Sequence, residues 1–149
     1  MSAHSSALTG KAGELLVAGE LLRRGVDVAN PAYDKGIDLF AYRETDLTKV
    51  VPIQVKARAG TGYNFQRSWF KFEGLVLVHV WRTQAEPEFY IFCRLDEVEQ
   101  ALGPTFSKSK SWAVDGGYNV TNPGPDAIAR MQRHRNRWDR IADLLPKAK

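Results

Sequence analysis

The sequence contains very little cysteine and histidine. Cys93 is the only cysteine among 149 residues, which excludes an intrachain disulfide and a cysteine-rich zinc site. The three histidines, His4, His79 and His134, are widely separated and lack the spacing of a histidine-based metal cage.

Long apolar runs and targeting patterns are also lacking. No stretch approaches the roughly 20 apolar residues that a membrane span requires. Residues 1–7 do not show the basic and then apolar pattern of a secretory signal. We therefore expect a cytoplasmic protein with no membrane partner. With 44% hydrophobic residues in a chain of 149, residues 1–149 are expected to form a single domain around their own core.

An excess of charge of one sign occurs only near the C-terminus. The net charge is +4, yet residues 1–125 hold 14 basic and 14 acidic residues, whereas residues 126–149 hold seven basic and three acidic ones. A local basic element favours a polyanionic partner. The alternative is that a charge of +4 only keeps the protein soluble.

Apolar periodicity and turn residues predict a mixed α/β chain. Helices are predicted over residues 11–24, 96–102 and 126–145. Strands are predicted over residues 26–28, 37–42, 50–56, 75–81 and 88–93. Residues 1–9 are expected to form a flexible lead-in, and Gly25 to end the first helix as a C-cap. The aromatic and basic residues 63–73 are not assigned to either a helix or a strand. Residues 103–125 are predicted to be a loop that could include a short strand at 112–114. This order predicts a central sheet flanked by helices.

Three polar clusters stand out in the first 60 residues. Glu14 lies at the start of the first predicted helix, and Asp38 begins an apolar strand just after Gly36. Gln54 and Lys56 share one face of the next strand because side chains alternate along a strand. Two carboxylates, an amide oxygen and an ammonium are suitable groups for holding Mg²⁺ and a water molecule against a phosphodiester.

The position of Glu14 can be explained in two ways. On a helical projection it lies on the same stripe as Val17 and Leu21, where a buried carboxylate needs a partner such as a metal ion or Lys56. The alternative is that Glu14 is a solvent-exposed acid in the first turn, where it interacts favourably with the helix dipole.

The strand residues also have a structural explanation. Asp38 is disfavoured inside a strand, but it could be an exposed residue at the strand start, and Asp34 is a weaker rival for its role. Gln54 and Lys56 could form the solvated face of an amphipathic strand. A functional interpretation gains support because all three clusters occur together, in an order that lets helix and sheet converge.

The order of a helical Glu, a strand Asp and then Gln-x-Lys resembles the PD-(D/E)xK nuclease superfamily. Within it, the chain is most similar to small Holliday-junction-resolvase-like and intron-homing-endonuclease-like members, over roughly residues 10–58. The resemblance implies an α/β, restriction-endonuclease-like fold with a mixed central β-sheet flanked by helices. It also implies a metal-dependent endonuclease that hydrolyses DNA phosphodiester bonds with Mg²⁺ or Mn²⁺. Many relatives act as dimers, so it allows a homodimer.

The resemblance implies a catalytic role for four residues. Asp38 corresponds to the central metal ligand, and Lys56 to the motif lysine that orients the water and stabilises the transition state. Glu14 corresponds to a helical glutamate, and Gln54 occupies the place where most members have Glu or Asp. The backbone carbonyl of Val55 could add a further metal ligand. A neutral Gln weakens metal binding, so the alternative is a catalytically inactive nucleic-acid-binding module or an accessory subunit on a nuclease fold.

Two basic segments are candidates for contact with nucleic acid. The first follows the Gln-x-Lys strand and combines basic with aromatic residues, as in proteins that contact phosphates and stack bases. The second lies along one side of the predicted C-terminal helix, where it could follow phosphates. The alternatives are that the aromatic residues belong to the core and that the helix face is only solvated. The candidate residues are Arg58, Arg67, Lys71, Arg130, Arg133 and Arg137.

Overall fold

A five-stranded mixed sheet forms the centre of the fold. The structure is a computed structural model that describes residues 3–148, with side chains from residue 6 onward. The strands are β1 (Asp27–Ala29), β2 (Leu39–Tyr42), β3 (Val50–Ala57), β4 (Gly62–Gln66), β5 (Val76–Trp81), β6 (Glu88–Phe92) and β7 (Gly117–Thr121). The helices are α1 (Ala3–Leu22), α2 (Leu95–Leu102), α3 (Lys110–Ala113), α4 (Pro125–Gln132) and α5 (Trp138–Ala142).

The strand order in the central sheet is β1-β2-β3-β5-β6, and β4 pairs with β7 in a separate two-stranded ribbon. Strand β3 runs antiparallel to β2 and parallel to β5, so the sheet is mixed, as predicted. Within residues 3–148, no helix is both long and apolar enough to cross a membrane.

Both faces of the central sheet are covered, which gives two apolar cores. On one face, Val55 and its neighbours pack with Val17 of α1 and Ile141 of α5. On the other face, Leu77 packs with Phe65 of the β4–β7 ribbon and with residues of α2 and α4. Since alternate residues of β3 point to opposite faces, Gln54 and Lys56 lie on the ribbon side of the sheet.

Helix α1 contacts β3 very closely at Gly13. A Cβ atom placed on Gly13 would overlap the Cβ of Ala57 and would also lie 3.6 Å from a methyl group of Val55. Any larger residue at this position would therefore push the helix away from the sheet. Because Glu14 is the next residue, this contact also fixes the backbone from which the Glu14 side chain extends.

The end of α1 confirms the C-cap predicted at Gly25, which has a φ of +76°. The Val26 N–H donates to the Leu21 carbonyl, and the Gly25 N–H donates to the Leu22 carbonyl, both at 3.0 Å. This pair of hydrogen bonds defines a Schellman motif, which satisfies carbonyl groups that the helix leaves unpaired. The chain then turns directly into β1.

The prediction of a flexible lead-in over residues 1–9 is wrong for residues 3–9, which belong to α1; residues 1 and 2 lie outside the described part. Extending an existing helix costs much less conformational entropy for each hydrogen bond formed than starting a new helix does. The packed segment around Gly13 and Val17 can therefore extend the helix toward the N-terminus through small polar residues that show little periodicity.

The predicted single helix over residues 126–145 is also wrong, because α4 ends at Gln132 and α5 begins at Trp138. Between them, the Ile91 N–H donates to the His134 carbonyl and the Asn136 N–H donates to the Phe89 carbonyl, both at 2.9 Å. The segment thus covers the free edge of β6. Asn136 has a φ of +54°, which interrupts the helix.

The segments without a clear periodicity contain further elements. Residues 63–73 contribute most of β4 and a 3₁₀ helix, Arg67–Lys71. Residues 103–125 are not a plain loop, since they form α3 and β7. The strand predicted at 112–114 is wrong: Trp112 lies in α3, whose N-cap Ser109 accepts a hydrogen bond from the Trp112 N–H.

We predict that the Gly13→Ala variant is less stable than the wild type by about 1–3 kcal/mol, because the new methyl group overpacks the α1–β3 contact. Urea unfolding followed by circular dichroism measures this change. The matched control is Gly19→Ala, where an added Cβ would meet nothing within 4 Å. That variant should be more stable by roughly 1 kcal/mol, the helix-propensity gain of Ala over Gly. Equal effects at the two positions would contradict the close contact.

Candidate active site

Asp38 is held at the start of β2 by two contacts with β3. Its backbone N–H donates to the Ile53 carbonyl at 2.9 Å, and its carboxylate Oδ2 accepts from the Val55 N–H at 2.7 Å. Within residues 3–148, the second carboxylate oxygen forms no hydrogen bond. One oxygen therefore anchors the side chain, and the other can accept a further ligand or donor.

The surroundings of Asp38 disfavour its negative charge. Burial raises the pKa of Asp38 above its ordinary value, and the charges of Glu14 and Asp34 raise it further. The hydrogen bond from Val55 and the charge of Lys56 lower this pKa, but the net shift is upward. A half-buried carboxylate in this setting gains from a nearby positive charge.

Gln54 lies between the two β3 residues that Asp38 contacts. The Ile53 carbonyl accepts from the Asp38 N–H, and the Val55 N–H donates to the Asp38 carboxylate. The Gln54 side chain is 5% exposed, and its Oε1 atom has no hydrogen-bond partner among the described residues. A buried acceptor without a donor is costly, so this oxygen marks a place where a cation or a water molecule would be stabilised.

Lys56 follows Gln54 on the same face of β3. Its Nζ atom lies 4.8 Å from the ring centroid of Trp69, close enough for a cation–π interaction. Within residues 3–148 the ammonium forms no ion pair, although its charge acts on Asp38. The ring thus steadies the ammonium while its N–H donors have no carboxylate partner among the described residues.

His79 of β5 pairs with Lys56 across the parallel ladder and is 1% exposed. Its Nε2 atom accepts from the Asn64 N–H at 3.4 Å, while Nδ1 has no partner among the described residues. Burial, with the charge of Arg58, lowers the pKa of His79 to about 3. The imidazole is therefore neutral near pH 7 and does not add to the positive charge around Lys56.

Glu14 reaches the same region from α1. It lines a cleft of about 260 Å³ with Asp38, Asp34, Lys11 and Tyr33, which we call the acidic cleft. The Lys11 ammonium lies 3.0 Å from a Glu14 carboxylate oxygen. This exposed ion pair contributes little to stability, so Glu14 could exchange Lys11 for another cation at small cost.

The structure thus places Glu14 and Lys56 close enough to Asp38 for their charges to act on it, and Gln54 lies between the β3 residues that Asp38 contacts. Among the described residues, no three His, Cys, Asp or Glu side chains are arranged to hold a metal ion. An oxygen of another kind must therefore complete any donor set here. The Gln54 amide and the carbonyl of Val55 are the candidates that the sequence predicted.

Of the three basic residues after β3, one lines the same cleft as Lys56. Arg58 lines a cleft of about 430 Å³ with Lys56, Asn64 and His79, which we call the basic cleft. Arg67 and Lys71 belong to the same 3₁₀ helix as Trp69 and have exposed side chains. Their contact with nucleic acid stays a prediction.

The basic residues near the C-terminus do not share one helix face, because the helix is broken. The Arg130 Nε donates to the Ala101 carbonyl at 3.0 Å, and Arg137 forms two hydrogen bonds with Asp139, each at 3.0 Å. Arg133 is exposed. The expectation of one continuous basic face is therefore wrong, although Arg133 could still contact a phosphate.

Two residues near the site carry little signal in the sequence. Trp69 is one of several aromatic residues in a segment without helical or strand periodicity, so its contact with Lys56 could not be singled out. Asn64 lines the basic cleft because β4 pairs with β7, some 55 residues later in the chain. The feature of the sequence that could have pointed to these two residues is the mixture of aromatic and basic residues after the Gln-x-Lys strand.

The fold is similar to that of a solved bacterial homing endonuclease, I-Ssp6803I. The two chains are 16% identical, the TM-score is 0.54, and the match covers 93% of this chain and 92% of that chain. No protein-family model and no curated protein matches the sequence. At this identity the similarity establishes the fold: the predicted mixed central sheet flanked by helices is confirmed as a nuclease-like fold.

We predict that replacing charged neighbours shifts the pKa of Asp38 in opposite directions. Glu14→Gln removes a negative charge and should lower this pKa, whereas Lys56→Met removes a positive charge and should raise it. Carbon-detected NMR titration of the carboxyl group measures both shifts. The Lys49→Met control, in an exposed turn, should leave the pKa unchanged. An unaltered pKa in Glu14→Gln would show that Glu14 lies too far away to act.

Proposed function

We propose that the protein is a divalent-metal-dependent endonuclease that hydrolyses phosphodiester bonds of DNA, with a Gln-x-Lys variant of the PD-(D/E)xK site. The observation that carries this proposal is that Asp38 is anchored on β3 at Ile53 and Val55, on either side of Gln54, with the charge of Lys56 acting on it, within a nuclease-like fold. The solved neighbour is a homing endonuclease, which supports DNA as the substrate. A homodimer and a cytoplasmic location stay predictions.

The donor atoms fit a hard cation such as Mg²⁺ or Mn²⁺. Such ions prefer carboxylate and carbonyl oxygens, and the site offers the second oxygen of Asp38 and the unpartnered Oε1 of Gln54. Glu14 and the carbonyl of Val55 are the remaining proposed ligands. When bound, the ion would supply Lewis-acid polarisation of a phosphate oxygen and a water molecule of lowered pKa.

The protein's own residues would orient the phosphate and stabilise its charge. The Lys56 ammonium, steadied by Trp69, is placed to donate to a phosphate oxygen and to offset the negative charge that develops during hydrolysis. Asp38 is fixed by its hydrogen bond with Val55, so its free oxygen needs little reorganisation. Arg58, in the basic cleft with Lys56, would contact a neighbouring phosphate of the same strand.

A second candidate is a nucleic-acid-binding module that has lost catalysis. Gln54 is neutral, and the described residues include no group of three acidic or imidazole ligands. Both facts reduce the affinity for a metal ion relative to a site with two close carboxylates. This candidate binds DNA in a salt-dependent manner but yields no metal-dependent product.

We predict that the wild type converts supercoiled plasmid or branched DNA to nicked or linear product with Mg²⁺ or Mn²⁺ and not with EDTA. Asp38→Ala and Lys56→Ala should each slow cleavage by at least about 100-fold, as expected for loss of a group that stabilises charge in the transition state. Gel-based rates measure the effect, and circular dichroism checks folding.

The matched control for this assay is Lys49→Ala, which removes an exposed lysine from a turn and should change the rate by less than about twofold. Full cleavage by both Asp38→Ala and Lys56→Ala would contradict the proposed site. DNA binding without any cleavage by the wild type would favour the binding module.

We also predict opposite effects for two substitutions of Gln54. Gln54→Glu adds a buried negative charge beside Asp38, so the free protein should lose roughly 1–3 kcal/mol of stability, while Mg²⁺ should bind about tenfold more tightly. Gln54→Leu removes the unpartnered oxygen and should weaken Mg²⁺ binding without destabilising the free protein. Calorimetric titration and urea unfolding in EDTA measure the two quantities. Identical Mg²⁺ affinities in the three proteins would exclude Gln54 as a ligand.

A further inference from the structure

The β4–β7 ribbon has one buried and one outward face. Tyr63 and Phe65 of β4 are fully buried, and Tyr118 and Val120 of β7 pack into the same core. The alternate residues of both strands must therefore point away from that core. Gly62 is buried, and the outward face is formed by Asn64, Gln66, Gly117, Asn119 and Thr121.

Amide side chains dominate this outward face. Asn64 and Asn119 are directly paired across the two strands, and Gln66 lies at one end of the ribbon, opposite Gly117. Within the described part of the chain, the side-chain amides of Asn64 and Gln66 form no hydrogen bond. The amides of Asn64 and Gln66 can thus bond to an outside partner. Gly117, opposite Gln66, adds no side chain that would cover them.

The charge around the ribbon suits a polyanion. Residues 56–71 contain four basic and no acidic residues, and residues 117–121 carry no charge. The Arg58 guanidinium donates to the Asn119 side-chain oxygen at 2.6 Å, which fixes the amide in one orientation and places a positive charge at its side. A basic border next to neutral amides permits phosphate contact and base contact together.

The outward face is continuous with the candidate active site. Asn64 lines the basic cleft together with Lys56 and Arg58, so a strand whose phosphate reaches Lys56 would pass beside the ribbon. A two-stranded ribbon is narrow enough to enter the major groove of B-DNA. Five residues per strand extend over roughly 17 Å, enough to span several base pairs.

We propose that the outward face of the β4–β7 ribbon enters the DNA major groove and selects the sequence beside the cleaved bond. Asn64, Gln66 and Asn119 are the residues that would contact base edges. The amide of an Asn or Gln side chain can donate through its NH₂ group to N7 of adenine and accept through its oxygen from the N6 amino group. Adenine is therefore the base that we expect this face to prefer. This inference rests on the proposed function in taking duplex DNA as the substrate.

The test selects bound duplexes from a randomised DNA library, with the full-length protein in EDTA so that cleavage plays no part. The wild type should enrich adenine at one or more positions. Asn119→Ala and Gln66→Ala should each reduce the preference at one position by about 5- to 150-fold, the range expected for one bidentate amide–adenine pair. The control, Gln100→Ala, removes an exposed amide from α2 and should leave the selected sequence unchanged.

Each outcome decides the inference. Wild-type binding without sequence preference, no DNA binding at all, or a preference that both ribbon variants retain would overturn it. Thermal unfolding of the variants shows whether a lost preference reflects a lost fold; if Asn119→Ala unfolds, the exposed Gln66→Ala decides. A sequence preference in the library, with no metal-dependent cleavage in the plasmid assay, would reject the proposed catalysis and leave the reading surface intact.

Discussion

The contact between Gly13 of α1 and Ala57 of β3 is the constraint on which the candidate site depends. It lets the helix backbone approach the sheet more closely than any side chain would allow. The same strand carries Gln54 and Lys56, and its neighbour β2 begins at Asp38. One close approach therefore sets the relative positions of groups contributed by a helix and two strands.

The polar groups that this contact positions reduce the stability of the folded protein. The pKa of Asp38 is raised by burial and by Glu14, and Gln54 has a buried oxygen without a donor among the described residues. A sheet optimised only for folding would place apolar residues here. The accumulation of unfavourable polar groups at one place, next to a lysine held on an aromatic ring, distinguishes this region from an ordinary amphipathic strand.

The elements with strong periodicity could be predicted from the sequence. The five strands of the central sheet, the C-cap at Gly25 and the grouping of the Glu, Asp and Gln-x-Lys clusters follow from alternation, turn residues and order along the chain. The ribbon could not be predicted, because β4 and β7 lie in segments without a clear periodicity and are paired only by contacts distant in sequence. The break after Gln132 was missed because the hydrogen bonds that interrupt the helix are made with β6, which local helical periodicity does not reveal.

The segment around His134 and Asn136 has a consequence for contacts between copies of the chain. An unpaired outer strand offers a row of amide and carbonyl groups onto which another chain can add a strand. On β6, backbone groups of Phe89 and Ile91 are already bonded to this segment. The opposite edge is β1, which has only three residues. Extension of the central sheet from one molecule into the next is thereby hindered at both of its edges.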